Sequence, residues 1–160
     1  MRWNLSHQAD KRALPLANRH YSRKNPDSPR FGLPGKHIVL LTPDADALWV
    51  SQWPKPTMVQ HEWKDAWYCA LFRNESPHLS SELILEAIAA LRWFWSPVPS
   101  LGMVTFVDPT KVKKKRDFGR CFRRAGFTEC GMTKRRKLIA FLLPPEKMPE
   151  PVKPGDMIKV

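Results

Sequence analysis

The stretch from Ser80 to Val107 constrains this chain more than any other. Leu83, Ile84, Ala87, Ile88, Leu91 and Phe94 recur at steps of three and four residues, which puts them on one face of a helix over Ser80–Trp95. Ser80 or Ser81 can cap its start, Glu82 and Glu86 suit its positive end, and Pro97 and Pro99 close it. Gly102–Val107 (GMVTFV) then runs apolar almost without a break, as a strand buried on both faces does. Asp108-Pro109 stops it.

Strands are predicted upstream at His37–Leu41, Ala47–Trp53 and Ala66–Phe72. The first two are joined by Thr42-Pro43-Asp44-Ala45-Asp46, whose proline and aspartates favour a turn, so a hairpin is expected. A short helix is expected within Ser6–Tyr21, interrupted near Pro15. Downstream, a second short helix over Phe118–Ala125 ends at Gly126, and Phe127–Gly131 and Lys137–Leu143 read as the last two strands. The order β-β-β-α-β-α-β-β makes a single-domain α/β or α+β protein, a mixed central sheet flanked by helices. Residues 1–143 form the domain, with a basic N-terminal arm. Residues 144–160 form a proline-rich, peripheral tail.

With 160 residues, 42% of them hydrophobic, the chain can bury one core. No apolar run is long enough to cross a membrane, and the N-terminus shows no leader pattern. Three cysteines at uninformative spacings, with no CxxC pair, argue against a disulfide scaffold or a zinc finger and fit a reducing cytoplasm.

The charge is unevenly placed. Of a net +12, residues 1–37 hold 8 basic and 2 acidic side chains, residues 38–110 hold 4 and 8, residues 111–137 hold 12 and 2, and the remainder is neutral. Two cationic blocks around a mildly acidic middle point to a polyanion, because concentrated positive charge gains from counterion release on nucleic acid. A solvated basic surface is the plainer alternative.

Four groups of residues can carry chemistry. Asp108 stands just past the C-terminal end of the doubly buried strand, where α/β sheets place ligands, and it can act as a base, hold a metal or accept from an amine. An aspartate forming a turn before proline is the alternative reading. His20-Tyr21-Ser22 offers a proton shuttle and a proton donor. Arg73-Asn74 through Ser80-Ser81 leads a strand into a helix N-terminus, where amides and dipole favour phosphate. An ordinary helix start reads the same way. Lys111, Lys113, Lys114, Lys115, Arg116, Arg120, Arg123, Arg124 and Lys134–Lys137, with Arg23 and Lys24 in the N-terminal block, are candidates for phosphate contacts. Phe118, Phe122 and Phe127 are interleaved with that charge, and the last two fit the core.

Several of these segments resemble a known family. Strand Ala66–Phe72, helix Ser80–Trp95, strand Gly102–Val107, helix Phe118–Ala125 and the step Phe122-Arg123-Arg124-Ala125-Gly126-Phe127 look like the later elements of the GNAT superfamily of N-acetyltransferases. Within it the chain is most similar to the Mom family of phage proteins that modify adenine in DNA. Three stretches over residues 18–143 carry the likeness. They are His20-Tyr21; Leu71-Phe72-Arg73-Asn74 with the following Pro77 and Ser80-Ser81; and Thr105-Phe106-Val107-Asp108-Pro109 with Gly119–Phe127 and Gly131-Met132-Thr133.

The resemblance implies a GNAT-like fold that transfers a carbamoylmethyl-type group to N6 of adenine in double-stranded DNA and so shields phage DNA from restriction. It implies His20, Tyr21, Asp108 and Ser81 as active-site residues, with Arg73, Asn74 and Ser80 at the cofactor. It also implies acetyl-CoA or another acyl donor, with iron as an associated metal, and the host cytoplasm as the compartment. A homodimer is left open. Two features depart from the pattern: the superfamily's Gln/Arg-x-x-Gly-x-Gly/Ala loop is absent between Phe72 and Ser80, and Lys111–Lys115 replaces a Gly-rich turn after Asp-Pro. Two rival readings remain: an N-acyltransferase acting on another amine, such as a hypermodified base, and a non-catalytic basic nucleic-acid-binding module.

Overall fold

The structure is a computed structural model that describes residues 1–32, 34–111 and 117–159. One seven-stranded sheet runs through it. Its strands are β1 (Asn4–Ser6), β2 (His37–Leu41), β3 (Ala47–Gln52), β4 (Trp67–Asn74), β5 (Met103–Val107), β6 (Thr128–Met132) and β7 (Ile139–Leu143). Its helices are α1 (Leu14–Arg19), α2 (Ser80–Phe94) and α3 (Arg120–Arg124). The spatial order is β1-β2-β3-β4-β5-β7-β6. Every neighbouring pair is antiparallel except β4 and β5, which are parallel and joined across the sheet by α2. The chain is therefore a single α+β domain, as expected.

The parallel pair is the feature that matters for the site. β4 and β5 are in register over only three residues, Trp67 with Met103, Tyr68 with Val104 and Cys69 with Thr105. Beyond that point β4 continues to Asn74 and β5 to Val107 without pairing, so the two strands part. A bulge lies at the parting. β3 pairs Val50 with Leu71 and Ser51 with Cys69, leaving Ala70 as the extra residue of β4. Bulges re-aim a strand and end its pairing, which is what happens here. At the start of β5, Gly102 has φ +84°, and a Cβ there would sit 2.0 Å from the Leu143 carbonyl oxygen, so only glycine admits this approach.

Both sheet faces are covered. One carries the main core, with Leu40, Trp49, Trp67, Met103 and Phe141 packed against Leu83, Ile84, Ala87, Ile88 and Leu91 of α2 and Phe122 of α3. The apolar stripe read from the sequence is therefore the face that α2 buries, although Phe94 itself is 42% exposed at the helix end. On the opposite face, Leu16 and Ala17 of α1 cover Val39, Leu41, Leu48, Val50 and Leu71. A smaller cluster, with Trp63, Tyr68 and Phe106 around Val104 and Ala140, covers the other half of that face.

The structure corrects the expectations in four places. Neither Ser80 nor Ser81 caps α2. The N-cap position is Leu79, whose apolar side chain makes no cap bond, and the Ser80 hydroxyl, one residue into the helix, accepts from Asn74 Nδ2 at 2.9 Å. Pro15 starts α1 rather than interrupting a longer helix, since a proline in the first turn leaves no helical amide unpaired. A short strand, β1, pairs with β2 where the sequence shows no strand pattern. The tail is docked and not merely peripheral: Met148 and Pro154 are buried, the Val152 amide donates to the Ala89 carbonyl, and Gly155 exchanges bonds with Trp3 and Leu5 at the sheet edge. Among the described residues no helix is long and apolar enough to cross a membrane.

Candidate active site

The gap between the parted ends of β4 and β5 opens into a cleft of about 1650 Å³. Tyr68–Asn74 form one wall, continued by Ser80 and Ser81 at the start of α2. Thr105–Asp108 form the other, and Gly119–Phe122 close one end. The segment that follows α1 crosses the mouth and brings in His20, Tyr21 and Ser22.

A small ion-pair network holds that segment in place. Arg19 donates two bonds to Glu75, at 2.7 and 2.8 Å. Arg73 donates to the same carboxylate at 2.6 Å and to the Arg19 carbonyl at 3.0 Å. The end of α1 is thus tied to the end of β4. The two guanidinium groups, hydrogen-bonded to it, bring the Glu75 carboxyl down to about 2. Arg73, read as a phosphate contact, serves this clamp.

The His20 and Tyr21 rings stack at 4.5 Å between centroids. His20 Nδ1 accepts the Ser22 amide at 3.2 Å and lies 2.7 Å from the Ser22 hydroxyl, so the network places the ring proton on Nε2. Burial, and secondarily the Arg73 charge, lower the His20 pKa to about 4, so the imidazole is neutral at physiological pH. The Tyr21 ring is 41% exposed, while its hydroxyl turns inward to within 3.5 Å of the Asp108 amide, a long contact. Burial raises its pKa and keeps it a protonated donor.

Asp108 stands at the rim, where the sequence places it. Its Oδ1 accepts from the Thr110 hydroxyl at 2.7 Å and from the Thr110 amide at 2.9 Å. The Thr110 side chain above all, with its amide, Lys111 and Arg136 in support, holds the carboxyl below its ordinary value. Asp108 is therefore both the turn-former of the plainer reading and a fixed negative charge facing the cleft.

Of the predicted site residues, His20, Tyr21, Ser80, Ser81, Arg73, Asn74 and Asp108 all line this one cleft, with Lys24, Lys111, Arg120, Arg124 and Arg136. Others do not join it. Arg23 bonds Asn18 and the carbonyls of Ser28 and Arg30. Arg123 pairs with Asp117 and Glu129 and lies over the Phe141 ring. Lys134 and Arg135 line a neighbouring hollow. Lys113, Lys114, Lys115 and Arg116 lie outside the described residues.

Asn74 organises the loop and has no polar group left for a cofactor. Its Nδ2 donates to the His78 carbonyl and to Ser80, and its Oδ1 accepts the Ser76 amide and hydroxyl. The Glu75 amide goes to Asp46 and the His78 amide to Ser76. The Glu75, Ser76 and His78 amides thus already have protein partners, unlike the amides that a pyrophosphate loop aims at its ligand, consistent with the lack of glycines here. Among the described residues no three His, Cys, Asp or Glu side chains assemble into a metal cluster, so the donor set for an iron is not formed by them. Sequence reasoning misses Tyr68, Phe106 and Thr110, because their place in the cleft follows from the parting of β4 and β5 and not from any local pattern. No family model, curated protein or solved structure matches the chain.

Proposed function

We propose that this protein is a transferase that places an acyl-derived, carbamoylmethyl-type group on the exocyclic N6 amine of adenine in DNA. One observation supports the reading above the others. The gap between two parting parallel strands gathers an ionised carboxylate, a protonated tyrosine and a neutral histidine under a rim of five cations. The rim suits a polyanion, and the interior suits the delivery of a weakly nucleophilic amine to a donor.

The chemistry follows from these groups. An adenine held in a duplex must leave the stack to enter the cleft, at a cost of about a few kcal/mol that backbone contacts offset. The stacked His20–Tyr21 pair offers it an aromatic surface. The Asp108 carboxylate accepts a hydrogen bond from the amine. As the nitrogen lone pair forms the new N–C bond, the nitrogen becomes cationic and strongly acidic, so even a weak base such as Asp108 can take its proton. The bond from the transferred carbon to the leaving group breaks with its electron pair, and the Tyr21 hydroxyl would protonate it.

The donor's arm would lie along the end of β4 that β5 leaves unpaired, beside Ala70–Phe72. A carbamoylmethyl-type product needs a donor that carries that carbon on a leaving group, because direct transfer from the thioester of acetyl-CoA would leave an acetyl group on the nitrogen. The first turn of α2 at Ser80 and Ser81 is the remaining place for any phosphate the donor carries. The loop at Asn74–His78, whose Glu75, Ser76 and His78 amides already have partners, favours a donor without a pyrophosphate, and it is also the best support for the second reading, a non-catalytic nucleic-acid-binding module.

Mass spectrometry of nucleosides from cells expressing the protein tests the proposal. A mass-shifted deoxyadenosine is expected, lost in Asp108→Ala with DNA binding retained. Its absence with the unaltered protein overturns the proposal, and DNA binding without any modified nucleoside favours the binding module.

A further inference from the structure

Next to the cleft lies a second hollow of about 510 Å³ that the proposed transfer does not use. It shares Tyr68, Phe106, Arg136 and Leu138 with the cleft, so the two adjoin. Its floor is aromatic. Phe106 meets His61 at 4.9 Å, Trp63 at 5.7 Å and Tyr68 at 5.7 Å between ring centroids, each tilted or edge-on. Its rim carries Lys64, Lys134, Arg135 and Arg136 against the single carboxylate of Glu62.

The aromatic floor is held in place from below. His61 Nδ1 accepts the Trp63 amide at 3.0 Å and fixes the turn between them. Gly131 in β6 has φ +153°, and a Cβ there would meet the Trp63 ring at 3.2 Å, so the ring packs close against bare backbone. Burial lowers the His61 pKa, so this ring is neutral and adds no charge to the floor.

We infer that this hollow receives a second unpaired nucleobase, a neighbour of the acceptor on the same nucleic-acid strand. The inference rests on the DNA reading of the adjoining cleft and deepens it. Flat aromatic faces stack on any base, and a cationic rim holds the phosphates on either side of it. A single strand spanning two adjoining hollows with one base in each explains why the aromatic floor and the basic rim occur together. The hollow lies within the usual size of small-ligand sites. Its net positive rim disfavours a cationic occupant such as a polyamine.

Fluorescence anisotropy with labelled single-stranded oligonucleotides tests this. One oligonucleotide has a central adenine, and the others carry an abasic site at each flanking position in turn. With the unaltered protein, one flanking abasic site is expected to weaken binding roughly ten- to a hundredfold, the worth of one base stacked on an aromatic side chain. Trp63→Ala is expected to weaken the intact oligonucleotide equally and to show no further loss with that abasic site. Trp63→Phe, which keeps a flat ring, is expected to bind nearly as the unaltered protein does. Circular dichroism checks that each variant is folded, and if Trp63→Ala fails to fold, His61→Ala takes its place. DNA binding that is indifferent to Trp63 and to every flanking abasic site overturns this inference and leaves the transferase proposal standing. No DNA binding at low salt by the unaltered protein overturns both.

Discussion

The two basic blocks carry charge of the same sign, but most of their arginines use it differently. In the N-terminal block Arg2 pairs with Glu82 and Glu86, Arg12 with Asp10 and Arg19 with Glu75, while Arg23 holds two backbone carbonyls. In the C-terminal block only Arg123, among the described residues, is in an ion pair. Arg120, Arg124 and Arg136 face the cleft, and Lys134 and Arg135 face the second hollow. The difference follows from the supply of acids. Residues 111–137 hold 12 bases and 2 acids, too few to neutralise them, whereas the N-terminal arm folds onto the acidic middle of the chain. Charge counted from sequence is therefore a poor measure of charge offered to a partner.

The largest expected effect separates the blocks directly. Replacing Arg120, Arg124 and Arg136 together with alanine is expected to make the log-log salt dependence of DNA affinity shallower by about 3, at roughly 0.9 for each phosphate left without its cation. The matching triple change at Arg2, Arg19 and Arg23 is expected to leave that slope unchanged. Equal slopes for the two triples would break the comparison.

Next in size is the structural role of the N-terminal block. Asp10 is buried and accepts from Ser6, from the Arg12 amide and from the Arg12 guanidinium. Asp10→Ala leaves these donors unpaired and is expected to cost about 1–3 kcal/mol in chemical denaturation, with the salt slope of DNA binding unaffected.

The pH dependence of stability comes third. Burial pushes the Asp10 carboxyl up, but the bonds from Arg12 and Ser6 outweigh it, so it lies below its ordinary value. Glu75 lies at about 2. Both contribute stability that is complete above the unfolded carboxylate range and is lost as pH falls toward their folded values. His20 acts at higher pH. Its folded pKa of about 4 lies below the unfolded value near 6.5, so the unfolded chain takes up the proton first and stability falls as pH drops through that window, then levels off below about 4. Thermal melts of His20→Gln are expected to show a shallower slope in this window, with the part due to the lowered His61 remaining, and to keep the one at lower pH.

The smallest effect belongs to the clamp. Glu75→Gln is expected to cost under about 1 kcal/mol, because the pairs are partly exposed. It releases Arg19 and Arg73 beside the cleft, so DNA binding is expected to become slightly more salt-dependent. A stability loss with no such change would show that the freed charges do not reach the ligand.

Much of the fold is legible in local pattern. The three- and four-residue spacing in α2, the unbroken apolar run of β5, the Thr42–Asp46 turn and Gly126 at φ +102° all stand where expected, because each depends on residues close together in the chain. β1 is not legible, since three residues carry no period and its pairing with β2 is tertiary. The docking of the tail escapes the sequence for the same reason: Met148 is buried only because α2 offers it a surface. Asp108 and the His20-Tyr21 pair are identifiable by position and resemblance. Asn74 reads as a cofactor contact, because sequence does not reveal that its amide is already saturated by Ser76, His78 and Ser80.

By itself the sequence determined most of the longer elements and where cationic charge accumulates, because helical period, strand apolarity and side-chain ionisation are properties of neighbouring residues. Tertiary structure alone decided where β4 leaves β5, which arginines find a carboxylate, and that Trp63, Phe106 and His61 meet beside the cleft. Those outcomes depend on distances between segments far apart in the chain. A bulge of one residue at Ala70, formed in pairing with β3, lies where the pairing of the central strands ends and the cleft begins.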